Sequence, residues 1–271
     1  MIDNFLVKKI FSLNELFVLF STATKTPFIH CNEETFDDEV FLFTNEDDAK
    51  KHADGFAEKK YPIAVLKIPN AQINGFLSSL YFYDVNAVEF YTGEEKNLIP
   101  LEQLIKKPDI NKLLNDKVPR INPDLQITAI YFLQEARRKI QRSPEEGRKL
   151  VEMEEEMAVN LFRSRFIVAI DITGINQKFD PRDKNKKYRL ITIKTKEGDM
   201  YLPCFSDINE FSKFSSANKK GKFHLMAVPY DKLPDFCKET KGLVVNPSGF
   251  NLLLKNESIE RLNKLYRSEN Q

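Results

Sequence analysis

Gly242-Leu243-Val244-Val245-Asn246-Pro247-Ser248-Gly249 is the stretch that says most about the fold of this chain. A leucine and two valines in succession are typical of a short buried strand. The asparagine, proline, serine and glycine that follow favour the special backbone dihedrals of a tight turn. The stretch predicts a strand, a turn and a return strand over 251–254. Loops of this kind also carry recognition, so the candidate ligand-binding residues are Asn246, Pro247, Ser248 and Gly249.

The rest of the second half predicts alternating strands and helices around this stretch. Phe166, Val168, Ile170 and Ile172 alternate with other residues, as in a strand with one buried face. Further strands are predicted over 188–195, 200–205 and 223–228, with a helix capped by Ser206 and a closing helix over 259–265.

The first half predicts a comparable series. Ser12-Leu13-Asn14-Glu15 has the pattern of a capping box, and Leu16, Leu19 and Phe20 follow at helical spacing, so a helix is predicted over 13–23. Later elements are strands over 28–31, 39–43, 63–68 and 87–91, a helix capped by Thr44, and helices over 73–80 and 101–105. Between the halves, two helices from Asp124 and from Ser143-Pro144 predict a helical hairpin.

Similar strand ends and helix starts in the two halves indicate an internal duplication. Phe43-Thr44-Asn45 corresponds to Phe205-Ser206-Asp207, Pro69 to Pro229, and Leu101–Leu104 to Ile259–Leu262, at offsets of 162, 160 and 158. The alternative is that any two α/β segments share such features. The first half is expected to lack a counterpart of the strand at 188–195.

The predicted fold class is α+β or α/β, with two related small mixed-sheet units joined by the helical hairpin. The first unit is placed at 1–107 and is the degenerate copy. The linker with one helix of the hairpin is placed at 108–147, and the second unit at 148–271.

A family resemblance comes from the second half. The stretch 242–249, together with Leu233-Pro234, Ala227-Val228-Pro229 and the segment Tyr201–Ser206, resembles the N-terminal domain of the SseB (enhanced serine sensitivity) family. The resemblance implies a small cytosolic α/β domain, and it supplies no catalytic residue and no cofactor.

Composition excludes several classes of protein. The chain has 271 residues, 42% of them hydrophobic, and 41 basic residues balance 40 acidic ones. Such a balance gives no global field for steering nucleic acid or a membrane surface. There is no apolar run of membrane-spanning length and no pattern typical of a signal peptide. Three cysteines without a CxxC pair favour reduced thiols, and a cytoplasmic location is expected.

His30-Cys31 and two acidic clusters are the candidate chemical groups. Neighbouring strand residues point to opposite faces, so a buried structural cysteine is favoured over a Cys–His dyad. Asp37-Asp38-Glu39 and Glu46-Asp47-Asp48 could serve acid–base or Mg²⁺ chemistry, but a loop and a helix start are favoured. Phosphate-binding glycine motifs are absent from the sequence, and neither a cofactor nor a metal is predicted.

Two basic patches could contact nucleic acid: Arg137-Arg138-Lys139 with Arg142, and Lys184 with Lys186-Lys187. A solvated helix face is the favoured interpretation, because only Tyr188 adjoins them as a stacking group.

The sequence thus favours a non-enzymatic binding or regulatory module whose partner is another protein or a small ligand. The alternatives are an enzyme whose carboxylates or thiols converge only in the fold, and a weak nucleic-acid binder.

Overall fold

The structure, a computed structural model, describes residues 4–107, 121–174, 189–217 and 221–269. They divide between two compact units, Met1–Ile110 with Gln126–Glu155 and Asn111–Leu125 with Glu156–Gln271. Helices and mixed sheets occur in both, which confirms the predicted α+β class. The boundaries predicted at residues 107 and 148 stay predictions, since the limits of a compact unit need not coincide with the limits of a duplicated segment.

The first unit is built on a seven-stranded mixed sheet. Its strands are β1 Glu15–Ser21, β2 Thr26–Pro27, β3 Ile29–Cys31, β4 Asp38–Phe43, β5 Ile63–Pro69, β6 Ala87–Thr92 and β7 Glu95–Pro100. β1 is antiparallel to β5 on one side and to β2 and β4 on the other. β3 pairs with β4, β4 runs parallel to β6, and β7 returns antiparallel to β6.

Six helices are described up to residue 163: α1 Asn4–Ser12, α2 Glu46–Glu58, α3 Asn70–Leu80, α4 Leu101–Leu104, α5 Pro123–Ala136 and α6 Pro144–Arg163. The last two begin where the helices of the hairpin were predicted, and their pairing as a hairpin stays a prediction. Gln134 on α5 holds both backbone groups of Ile29: its Nε2 donates to the carbonyl at 2.9 Å and its Oε1 accepts from the amide at 3.3 Å. These bonds fix α5 to the short strand β3.

The second unit contains two sheets that meet at one bridge. Its strands are β8 Arg165–Asp171, β9 Arg189–Leu190, β10 Ile193–Lys194, β11 Met200–Cys204, β12 Phe223–Pro229, β13 Gly242–Val245 and β14 Leu252–Lys255, and its later helices are α7 Ile208–Ala217 and α8 Asn256–Glu269. β8 is antiparallel to β12 and β9. β11 is antiparallel to β10 and parallel to β13, which β14 follows in antiparallel pairing.

Both units use the same strand order. β1 pairs with β5 from Glu15–Pro69 to Ser21–Ile63, and β8 pairs with β12 from Arg165–Pro229 to Asp171–Phe223. In each unit the next long strand reaches this pair through a phenylalanine, Phe43 opposite Phe17 and Phe205 opposite Ile167. A parallel strand and an antiparallel return strand then follow in both.

The helix predicted over 13–23 is wrong: the chain forms α1 up to Ser12 and then strand β1. Leu16, Phe17, Val18 and Leu19 are all buried, so the segment is covered on both faces. A central strand of this kind carries a continuous apolar run, and such a run also satisfies helical spacing. The hydroxyl of Ser12 donates back to the Lys9 carbonyl at the end of α1, so it starts no helix.

The first half also has the counterpart of segment 188–195 that it was expected to lack. β2 and β3 occupy the place of β9 and β10, between the strand that opens each unit and the next long strand. The amide of Leu101, at the start of α4, donates to the carbonyl of Asn86, and the amide of Asn256, at the start of α8, donates to the carbonyl of Lys241. These equivalent bonds put the two helix starts at an offset of 155 residues. Leu104 therefore corresponds to Ile259, one helical turn from the sequence alignment.

Each unit has an aromatic core between its sheet and its capped helix. In the first unit α2 covers Phe17, Leu19, Phe28, Phe41 and Phe43 with Ala49 and Ala53. In the second unit Ile167, Ala169, Phe205 and Phe211 form the buried cluster beside α7. The helix caps lie one residue later than predicted, at Asn45, whose Oδ1 accepts from the Asp48 amide at 2.8 Å, and at Asp207.

Candidate functional site

Asn246 is a structural residue of the predicted recognition loop. Its side chain is fully buried and its backbone is left-handed, with φ 49°. Oδ1 accepts from the Ser206 amide at 2.9 Å, and Nδ2 donates to the Ser206 hydroxyl at 2.8 Å. Ser206 then donates to Asp207, which accepts from the first amides of α7. Asn246 thereby joins the end of β13 to the start of α7.

Gly249 is also structural, whereas Pro247 and Ser248 line a cleft. A Cβ on Gly249 would lie 2.3 Å from the buried carboxylate of Glu210, so only glycine fits without a shift. Pro247 and Ser248 are half-buried and face the cleft of the second unit. The four candidate residues therefore divide into two that shape the turn and two that are available to a ligand.

The cleft has a volume of about 700 Å³ and lies on one face of the β10–β11–β13–β14 sheet. This volume is in the range of small-ligand sites. Its apolar lining includes Tyr201, Val244, Leu253, Phe214 and Phe223. Tyr201, Val244 and Leu253 share a sheet face, since Pro203 pairs with Val244 and Val244 with Leu253. Tyr201 and Val244 are 4% and 6% exposed and Leu253 is 45% exposed, so the floor is open to solvent at Leu253.

Polar groups lie at the rim of this cleft. Asp171 and Arg189 face each other across β8 and β9, and Ser248 and Asn251 lie at the turn. The hydroxyl and amide of Thr173 hold the pKa of Asp171 below its ordinary value, with a smaller contribution from Arg189. The rim thus offers a carboxylate, a guanidinium and neutral hydrogen-bonding groups around an apolar floor.

The equivalent place in the first unit is filled by a polar cluster. Phe43 and Phe205 are equivalent, so Glu39 and Tyr201, each four residues earlier, are equivalent too. In the parallel pairs Phe41 lies opposite Glu89 and Pro203 opposite Val244, which makes Glu89 the equivalent of Val244. Glu39 and Glu89 are 0% and 4% exposed. Asn32 Nδ2 donates to Glu39 Oε1 at 2.7 Å, and Tyr91 donates to Glu89 at 2.6 Å. Lys96 forms an ion pair with Glu89.

The two carboxyl groups of this cluster have different electrostatic surroundings. Burial raises the pKa of Glu39 to about 7, and the nearby Glu89 carboxyl adds to the effect. Burial also disfavours ionisation of Glu89, but hydrogen bonds from Lys96 and Tyr91 hold its pKa below its ordinary value. Glu89 is therefore the ionised member of the pair near neutral pH, and Glu39 is the member that titrates there.

Comparison with known protein families finds a match in the second half of the chain. Residues 148–261 match the family model of the SseB protein N-terminal domain. The resemblance predicted from 242–249 is thus confirmed, and the match covers the whole lining of the cleft. The second unit is called the SseB-like unit below. No curated protein matches the chain.

Two solved structures align with the chain over almost its full length. Tic22 from Plasmodium falciparum has 11% identity and a TM-score of 0.24, and Anabaena Tic22 (protein transport) has 11% identity and a TM-score of 0.21. Each alignment covers 97% of this chain and 98% of the other. At these TM-scores the similarity supports no inference about the function of this chain.

Among the three cysteines, Cys31 does not have the predicted environment. Cys31 is exposed, so the interpretation as a buried structural cysteine is wrong; β3 is a short strand followed by a loop and leaves the thiol in solvent. Partial desolvation and then the carboxylates of Asp38 and Glu39 raise its pKa, which disfavours a nucleophilic thiolate. Cys204 and Cys237 are buried in the SseB-like unit.

We expect Ellman's reagent to modify one thiol of the three in the folded protein at pH 8, and more slowly than a free thiol. The modified residue is Cys31, because Cys204 and Cys237 are 0% and 5% exposed. Cys31→Ser should leave no reactive thiol until denaturant is added. Rapid reaction of two or more thiols in the folded wild type would contradict this assignment.

The acidic clusters have separate roles. Glu46, Asp47 and Asp48 form the first turn of α2, as predicted, and Glu46 pairs with Lys50 at 2.7 Å. In the other cluster, Glu39 lies in strand β4, as predicted, and the strand already begins at Asp38, which accepts a hydrogen bond from Tyr131. The alternation of Glu39, Phe41 and Phe43 is the sequence signal that could have placed this carboxylate on the inner face.

The first basic patch is engaged within its own unit. Arg137 donates to the carbonyl of Ala23, and Arg142 to the carbonyl of Glu135. Arg138 pairs with Glu135 at 2.8 Å and lies 4.5 Å from the ring centre of Tyr61. These guanidinium groups hold α5 in place, and a phosphate would have to displace those contacts. Lys184, Lys186, Lys187 and Tyr188 lie outside the described residues.

Among the described residues, no group of three or more histidine, cysteine or acidic side chains is arranged to hold a metal ion. Within the same ranges, no helix is both long enough and apolar enough to cross a membrane.

Proposed function

We propose that this chain is a non-enzymatic cytosolic binding module and that the cleft of its SseB-like unit holds the ligand. The ligand is a protein segment or small molecule that places an apolar group on the sheet and polar groups at the rim. The observation that carries the proposal is the cleft itself, where Pro247 and Ser248 of the 242–249 stretch meet an apolar floor that is exposed at Leu253.

The chemistry of the lining supports binding. Aromatic and aliphatic side chains with a few convergent polar groups are the usual composition of a ligand site. The three cysteines and the buried carboxyl pair lie outside the cleft lining. The free thiols Cys31, Cys204 and Cys237 agree with a reducing compartment.

The same strand order in both units supports an internal duplication in which the positions that line the cleft of the second unit have changed character in the first. Glu39 and Glu89 stand where Tyr201 and Val244 line the cleft, and they are buried with Asn32 and Lys96. A diverged copy of this kind retains the scaffold while its ligand position is filled. The first unit would then contribute to packing or to partner choice.

A peptide-display library and a small-molecule thermal-shift screen, both applied to the full chain, test the proposal. Leu253→Asp should weaken recovered ligands by about tenfold or more, because a carboxylate replaces an apolar contact worth about 1.5–3 kcal/mol. Leu66→Asp is the matched control, since Leu66 is a strand leucine of similar exposure, 39%, in the first unit.

The control variant should bind within about twofold of the wild type. If neither screen yields a ligand, or if ligands bind Leu253→Asp as tightly as the wild type, the cleft is not the binding site.

A further inference from the structure

The cluster of Glu39 and Glu89 is a buried group in the first unit that the proposed function does not use. The two side chains project from the neighbouring parallel strands β4 and β6, and their carboxyl groups lie within hydrogen-bonding reach of each other. In the described part of the chain, Glu39 Oε2 is buried and no N–H or O–H donor reaches it. Two carboxylates in contact repel each other strongly when buried.

We propose that Glu39 and Glu89 share one proton in the folded chain, and that loss of this proton is a pH-sensitive device that loosens the loop between β3 and β4. A protonated Glu39 donates from Oε2 to Glu89, which satisfies the buried atom. Glu89 keeps its charge because Lys96 and Tyr91 both donate to it. The single positive charge of Lys96 then balances a single carboxylate.

The other charged and titratable groups around Glu39 add little positive charge. They come from β3, its loop, β4, β6, α2 and α5, and they are His30, Cys31, Glu33, Glu34, Asp38, Tyr91, His52 and Tyr131. Burial lowers the pKa of both histidines, so neither compensates a second carboxylate near neutral pH. Ionisation of Glu39 therefore leaves one buried negative charge without a cation.

The loop at 32–37 is the part of the structure that can relieve this charge. Asn32 organises it: Oδ1 accepts from the amides of Glu34 and Thr35 at 2.9 and 3.1 Å, and Nδ2 holds Glu39. Phe36 has a left-handed backbone, φ 59°, and a side chain that is 77% exposed. The loop thus carries strain and contacts Glu39 through Asn32, whose hydrogen bond favours the ionised carboxyl but does not offset the larger cost of its burial. Movement of this loop lets solvent reach the ionised carboxylate.

Hydrogen exchange of the full chain, measured as protection factors at pH 6 and pH 8, tests the device. A carboxyl group whose pKa is higher in the folded state stabilises that state most at low pH. The pKa of Glu39 is about 7 when the loop is closed and ordinary when the loop is open. Protection is therefore highest at low pH and falls as the pH rises through 7. We expect about a tenfold loss of protection between pH 6 and pH 8 at the amides of Asn32, Phe36 and Asp38, which are hydrogen-bonded in the structure.

Glu39→Gln should abolish this loss, since its amide donates to Glu89 without titrating. Glu46→Gln is the matched control: Glu46 is an exposed glutamate paired only with Lys50 among the ion pairs of the described residues, and its variant should behave as the wild type. Glu89→Gln is a second variant that removes the repulsion and should also flatten the response.

Two results would overturn the proposal. One is a tenfold loss that persists in Glu39→Gln and Glu89→Gln. The other is an NMR titration in which the Glu39 carboxyl carbon ionises in the ordinary range of glutamate. If Glu39→Gln failed to fold, the comparison of Glu89→Gln with the wild type and the carboxyl titration would still decide the matter.

Discussion

Asn246→Ala is expected to destabilise the SseB-like unit by about 2–4 kcal/mol. The substitution leaves the buried amide of Ser206 without its acceptor, at a cost of about 1–3 kcal/mol, and places alanine in a left-handed conformation that costs about 1 kcal/mol more. Because Ser206 leads into α7 through Asp207, the helix start should loosen as well. Urea titration with pulsed thiol labelling of the buried Cys204 reports unfolding of this unit.

Two further variants separate the causes. Asn246→Gly keeps the left-handed backbone at no cost and loses only the hydrogen bonds, so it should recover about 1 kcal/mol relative to alanine. Asn251→Ala places alanine at a second left-handed position, φ 53°, of an exposed residue, and should cost about 1 kcal/mol. If Asn246→Ala costs no more than Asn251→Ala, the side-chain bonds of Asn246 do not hold the turn.

Gly242→Ala is expected to destabilise the same unit by about 4 kcal/mol, at the upper end of single substitutions. A Cβ at this position would lie 2.1 Å from the carbonyl oxygen of Leu254 and 2.9 Å from the Cα of Lys255. Both are backbone atoms of β14, so the strand pair itself must separate. The backbone also has φ 144°, where L-residues are strained. The same thiol-labelling titration of Cys204 measures the loss.

Gly198→Ala is the matched control for the effect of φ. Gly198 has φ 94°, and the nearest atom to an added Cβ is the Lys194 Cε at 3.7 Å, which is ordinary contact. This variant should cost about 1 kcal/mol. Equal losses for the two glycines would show that the close approach of β13 and β14 contributes nothing.

Much of the SseB-like unit was predictable because its signals are local. The strand over 166–172 alternates apolar residues, and the strand over 223–228 ends at Pro229. Signals of this kind depend only on residues within a short stretch of the chain. They can therefore be recognised without knowing which other elements pack against that stretch. The strand β1 was missed for the opposite reason. Its apolar run fits a helix or a central strand equally well, and only pairing with β4 and β5 decides between them.

The candidate site was predictable only in part. The stretch 242–249 identified the correct turn. The position of α7 is needed to see that Asn246 and Gly249 are structural, whereas Pro247 and Ser248 line the cleft. The burial of Glu39 was missed because Glu89 and Asn32 reach it from other strands and from a loop. Charged residues are rarely buried without partners, and partners distant in sequence leave no local signal.

The sequence by itself determined the two α/β units, the turn at 246–249, the helix starts near Asn45 and Asp207, and the family of residues 148–261. Each depends on short-range backbone preference or on a contiguous motif. The tertiary structure decided which of these strand residues line a cleft and which are buried in a polar cluster. That difference arises from side chains on β4, β6, β11 and β13, whose parallel pairing brings together residues about 40–50 positions apart.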